Sequence, residues 1–186
     1  MAAACSRASR RIWSGRRNVV DAADQTAAFR ESSIRTLLRQ AKQIGAEYYR
    51  LTSKPLGVTG EVAEYEAAEK LGLTLAVART PAFDAFRDFN GGQIRYQIKG
   101  RAVPKADRYK GMVPKIVDGD FECVLLVLLD KATLDAIEIW QADRESVMKR
   151  LDAPGGRARN ERRAMAISQF KSISRKVWPD EGAADR

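Results

Sequence analysis

The 186-residue chain contains no histidine and only two cysteines. The missing imidazole excludes Ser-His-Asp and Cys-His catalysis, as well as zinc proteases and nucleases built on histidine ligands. Any hydrolytic chemistry must therefore depend on carboxylates, lysine and a hard metal ion. Cys5 lies in a basic segment and Cys123 in an apolar run, so they form no disulfide framework. We expect a reducing compartment, the cytoplasm.

Long hydrophobic runs are also missing. The longest is "CVLLVLL" at 123–129, far short of the ~20 residues that span a bilayer, so we expect no membrane partner. The first twenty residues are rich in arginine, serine and alanine and contain no acid. This composition is typical of an organelle transit peptide, of a disordered basic tail and of upstream sequence included in the chain, and these alternatives stay open.

What is present is enough for one globular domain. Hydrophobic residues make up 45% of the chain and charged residues 31%, which excludes wholesale disorder. We expect a flexible basic tail at 1–24, a single α/β domain at 25–179 and a short tail at 180–186. The net charge of +9 favours a polyanionic partner such as nucleic acid.

Hydrophobic periodicity predicts the order helix, helix, three strands, two strands, helix, helix. An N-terminal amphipathic helix and one mixed central sheet of about five strands, flanked by helices, follow from this order. The predicted helices are 26–49, 60–71, 143–151 and 166–178, and the clearest strands are 73–78, 93–101, 121–129 and 132–140.

Polar side chains of four residues converge on one predicted site. Gln97 and Lys99 are two residues apart in a strand, so they project to one face. A turn at Gly91 and Gly92 would place the strand bearing Asp84 beside them, and Glu61 lies on the preceding helix. A carboxylate can anchor Mg²⁺, and a lysine can orient the attacking water. The alternatives are a turn cap, a solvated strand face and acids that stabilise a helix dipole.

The stretches "GVTGEVAEYEAAEKLGL", "FDAF" and "YQIKGR" together resemble the PD-(D/E)xK, or restriction-endonuclease-like, nucleases. The resemblance covers roughly residues 57–151 and looks like an uncharacterised bacterial branch with a Gln-x-Lys variant motif. It implies a restriction-endonuclease-like core of a helix, three strands, a helix and a strand. It also implies an enzyme, a metal-dependent endonuclease that hydrolyses DNA with Mg²⁺ or Mn²⁺.

The resemblance assigns a role to each residue of the predicted site. Lys99 would act on the nucleophilic water, and Gln97 replaces the acid that usually precedes x-Lys. A second carboxylate would come from Glu61, with Glu64 as the second choice. The implied metal ligands are Asp84, the Gln97 amide oxygen, the Ile98 carbonyl and Glu61.

The expected partner is DNA, although RNA stays open. The resemblance also implies a homodimer, because nucleases of this family often cut the two strands as a dimer. A basic loop after the Gln-x-Lys strand would contact phosphates without reading sequence. Its cationic residues are Arg101, Lys105, Arg108, Lys110 and Lys115. The alternative function is a catalytically inactive protein on the same fold that binds nucleic acid or a protein partner.

Overall fold

A computed structural model describes residues 14–105, 109–156 and 160–180, without the side chains of 14–24 and 27. The chain divides into two compact units, residues 1–40 and 41–186. The boundary between the two units falls within the first predicted helix, 26–49.

Four helices are described. They are α1 (Ser14–Thr52), α2 (Thr59–Leu71), α3 (Arg144–Asp152) and α4 (Ile167–Lys171). The helical backbone of α1 begins at Ser14, within the segment that was expected to be a tail up to residue 24. The helix α2 begins one residue before the predicted start at Gly60, and it ends where predicted because Gly72 adopts a left-handed conformation (φ 63°).

Six strands form one mixed sheet in the order β1-β2-β3-β4-β5-β6. They are β1 (Thr74–Leu75), β2 (Ala85–Phe89), β3 (Gly92–Val103), β4 (Cys123–Asp130), β5 (Ala136–Asp143) and β6 (Arg175–Trp178). Only β3 and β4 pair in parallel, and the other neighbours are antiparallel. The mixed α/β sheet is confirmed, with six strands where about five were expected.

The predicted last helix, 166–178, is wrong in its second half. The helix α4 ends at Lys171, and after a short turn the chain forms β6, which pairs with β5. Ile173 and Val177 fit a helical period, but the free edge of β5 offers backbone hydrogen bonds to an extended chain. Tertiary pairing therefore overrides the local pattern.

Helices cover both faces of the sheet. On one face, Val62 and Ala63 of α2 are buried against Tyr96 and Ile98 of β3. On the other face, side chains of α3 and α4 pack against alternate residues of β4. The apolar strand β4 is buried on both faces, as the sequence predicted for a central strand.

One edge of β3 is open beyond Tyr96. The strand β2 pairs with β3 only from Gly92 to Tyr96, whereas β4 pairs with it as far as Val103. Among the described residues, no strand lies beside 97–103 on the β2 side. The predicted site residues fall at this open edge.

Candidate metal and active site at the open edge of β3

Asp84 lies where β2 and β3 separate. Its backbone N–H donates to the Tyr96 carbonyl at 2.8 Å, and its Oδ2 accepts from the Ile98 N–H at 2.6 Å. In a strand, the N–H and C=O of one residue point to the same edge. The Ile98 carbonyl therefore faces the same side as the Asp84 carboxylate, so two of the predicted metal ligands are neighbours.

Gln97 is buried, with 6% of its surface exposed. Its Nε2 donates to the carbonyls of Ala82 and Val117, each at 3.2 Å. Because carbonyls only accept, these contacts fix which end of the amide is nitrogen. The Oε1 atom is then buried, and no donor for it is found in the described part of the chain. Burying an unsatisfied acceptor costs about 1–3 kcal/mol in the free energy of folding. The Gln97 amide nitrogen therefore connects the loops of Ala82 and Val117, while its amide oxygen stays an unused acceptor.

The helix α2 presents two carboxylates, and Glu64 is the more enclosed of them. Burial, the largest cause, and the negative charges of Asp84 and Glu61 together raise the pKa of Glu64 to about 7, although Lys99 opposes the shift. These interactions place Glu64 within electrostatic reach of both Asp84 and Lys99. Glu61 is exposed, and its role as a ligand stays a prediction.

Gly100 explains how α2 comes so close to β3. A Cβ atom built on Gly100 would lie 2.5 Å from the Ala63 Cβ and 2.7 Å from the Thr59 carbonyl oxygen. Only a residue without a side chain permits this approach. Lys99, the residue before it, is half-buried and projects to the same face as Gln97.

The donor set at this edge consists of hard oxygen atoms, which suit Mg²⁺ or Mn²⁺. The Gln97 Oε1 is an unused acceptor, and the charge of Asp84 contributes to the raised pKa of Glu64. Within 14–105, 109–156 and 160–180, however, no three acidic, cysteine or histidine side chains form a metal cluster. Carboxylates alone do not complete a site there, so the amide and carbonyl oxygens would have to contribute.

The predicted phosphate-binding residues are placed in part. Arg101, Lys105, Lys110 and Lys115 are all exposed, and Arg108 lies outside the described residues. Arg101 follows Lys99 by two positions on β3, so both project to one face. Whether these residues bind nucleic acid stays a prediction.

A cavity of about 340 Å³ lies beside Gly100, and no residue pattern in the sequence had predicted it. Its lining comes from the last turns of α1, the start of α2, the end of β3 and the turn after β4, and includes Tyr49, Arg101 and Lys131. These residues are distant in sequence, so no local spacing signals the cavity.

No protein-family model matches the chain, and no curated protein matches its sequence. In the portion of the chain that is described, no helix is long and apolar enough to cross a membrane.

Proposed function

We propose that the protein is a metal-dependent endonuclease that hydrolyses DNA phosphodiester bonds. The observation that carries the proposal is the pairing of Asp84 with the Ile98 N–H at the open edge of β3. This contact puts a carboxylate beside the Gln97-x-Lys99 segment, on which the motif depends.

The order of elements supports a restriction-endonuclease-like core. The helix α2 precedes the antiparallel strands β1 to β3, and β4 returns beside β3. The resemblance also implies a helix between the third and fourth strands. The described parts of that connection, 104–105 and 109–122, contain no helix, so the proposed core is a reduced version.

In this proposal the cation would be held by Asp84, the Gln97 amide oxygen, the Ile98 carbonyl and a carboxylate of α2. When bound, it supplies Lewis-acid charge for phosphodiester hydrolysis. Lys99 orients the attacking water and stabilises negative charge that develops on the phosphate. Glu64 is half-buried and interacts electrostatically with both Asp84 and Lys99. It is therefore as good a candidate as Glu61 for the carboxylate that α2 supplies.

The charge of the chain supports a nucleic acid substrate. The exposed cations of the loop after β3 continue from the end of the strand that carries Lys99. They would contact phosphates, so binding should weaken steeply with salt and carry little sequence preference.

Cleavage of supercoiled plasmid with Mg²⁺, Mn²⁺ or EDTA tests the proposal. Asp84→Asn keeps an oxygen for the Ile98 N–H but removes the charge, and Lys99→Met removes the amine. We expect each change to slow cleavage about a hundredfold or more without weakening DNA binding to the same degree. Lys149→Met, an exposed lysine of α3, is the control and should cleave as the wild type does.

The alternative is an inactive nucleic-acid-binding or partner-binding protein. Two observations favour it: Gln97 replaces a charged ligand, and its amide nitrogen is committed to two loop carbonyls. Under this alternative, purified protein binds DNA, cleaves nothing with either metal, and binds equally well after Asp84→Asn or Lys99→Met.

A further inference from the structure

The cavity beside Gly100 has a consistent chemical character. Tyr49, Leu56, Val58 and Leu134 supply aromatic and aliphatic walls. Its volume of about 340 Å³ lies near the lower end of the range of about 300–1,000 Å³ that is typical of small-molecule pockets. The cavity therefore suits one small ligand with an apolar body.

The charged residues that line the cavity are all basic. Lys131 lines it, and none of its lining residues is acidic. Arg101 also lines it, but its guanidinium lies against Gly111 and Ile167 on the other face of the sheet, so Lys131 is the cation available here. The Lys131 Nζ lies 4.5 Å from the centre of the Tyr49 ring, so this cation stacks on one face of the ring. Val58 and Thr59 bring the start of α2 to the cavity, and no side chain caps that end of the helix. An anionic group would be stabilised here.

We propose that this cavity binds one unpaired nucleotide of the substrate strand. Its base would pack on the face of Tyr49 that Lys131 does not cover, and its phosphate would lie beside the Lys131 ammonium. Base stacking on aromatic side chains, combined with cationic contacts to the backbone, is the usual basis of single-strand binding. A base within a duplex cannot enter a pocket, so the occupant must be splayed out of the stack.

This inference rests on the proposed function for its link to cleavage. Gly100 lines the cavity and directly follows Lys99, while Thr59 lines it two residues before Glu61. Because Gly100 faces α2 whereas Lys99 projects to the opposite face, the start of α2, which carries Glu61, is what would link the bound nucleotide to the reacting phosphate. The substrate class becomes nucleic acid with an unpaired nucleotide next to the cut, rather than uninterrupted duplex.

Binding is measured in EDTA, so that no cleavage occurs, with the fluorescent base 2-aminopurine as the probe. Three ligands carry it: a duplex with one unpaired 2-aminopurine, the fully paired duplex, and the free mononucleotide. We expect quenching and tight binding for the unpaired duplex, weak binding for the paired duplex, and weaker but saturable binding for the mononucleotide. If only the mononucleotide quenches, the pocket serves a free nucleotide and the strand proposal is overturned.

Substitutions distinguish binding of a nucleotide in the cavity from nonspecific electrostatic attraction of DNA. Tyr49→Leu should weaken binding of the unpaired duplex roughly 5- to 150-fold, and Tyr49→Phe should retain it. Lys131→Gln should lower the slope of log affinity against log salt by about 0.7–0.9, and Lys149→Gln should not. If Tyr49→Leu does not fold, Lys131→Gln decides the question. Equal affinity of all variants, or equal binding of paired and unpaired duplexes, overturns the inference.

Failure of this inference and failure of the proposed function give different results. Metal-dependent plasmid cleavage without preference for the unpaired nucleotide leaves the nuclease and removes the pocket's role. Quenching that depends on Tyr49, without cleavage under any metal, leaves the pocket and removes the nuclease.

Discussion

Replacing Gly100 with alanine tests the close approach of α2 to β3. The added methyl would meet the Ala63 Cβ at 2.5 Å and the Thr59 carbonyl oxygen at 2.7 Å. Carbon atoms in contact normally lie about 3.5–4.0 Å apart, so the helix must move by about 1 Å. Neither obstructing atom is the end of a flexible side chain. Overpacking of this kind costs about 1–3 kcal/mol in the free energy of unfolding.

For a domain of this size, that cost lowers the melting temperature by roughly 2–12 °C. Gly60 provides the matched control, because it lies in the first turn of α2 and no atom lies within 4 Å of its built Cβ. Gly60→Ala should therefore raise the unfolding free energy by up to about 1 kcal/mol. Thermal and urea unfolding measure both. A Gly100→Ala protein as stable as the wild type would refute the proposed packing, as would an equal loss in Gly60→Ala.

Three further changes test the electrostatics and the buried polar contacts, all in EDTA. Because the pKa of Glu64 is raised to about 7, the folded state binds its proton more tightly than the unfolded chain does. Wild-type stability relative to Glu64→Gln should therefore fall as the pH rises from about 4.5 to 7 and then stay constant; a flat difference in melting temperature would contradict this. Gln97→Glu would turn a carboxylate oxygen towards the two carbonyls that now accept from the amide. The melting temperature of this variant should therefore fall more, relative to the wild type, at pH 8 than at pH 4. Equal falls at the two pH values would argue against the assigned amide orientation. Lys42 pairs with the buried Glu66 at 2.8 Å and also with Asp135, so Lys42→Met should cost about 3 kcal/mol in urea unfolding. Adding Glu66→Gln should recover part of that loss, and strict additivity would show that the pair is not coupled.

Much of the fold could be predicted from local pattern. The apolar run of β4 predicted a central strand, and Gly72 marked the end of α2. The pattern failed at β6, because the half-buried Val177 satisfies a helical period together with Ile173 and also fits an edge strand. The helical backbone that starts at Ser14 lies partly in a segment whose richness in arginine, serine and alanine had predicted a tail.

The site was predictable only as a set of residue types. Alternation placed Gln97 and Lys99 on one face, and this follows from strand geometry alone. The helical period put Glu61 and Glu64 on a shared face, but it could not tell which carboxylate lies closer to Asp84. That ranking depends on the height of α2 over β3, which Gly100 determines through a contact between distant segments.

The carboxylate of Asp84 also has a consequence for solubility. Beyond Tyr96 the β2-side edge of β3 has no strand partner among the described residues, and such an edge can pair with a strand of another molecule if it becomes accessible. By accepting the Ile98 N–H, Asp84 occupies the first donor of that edge and places a negative charge where an incoming strand would have to dock. An apolar substitution at this position should therefore promote self-association through strand addition, and light scattering of concentrated protein would detect it.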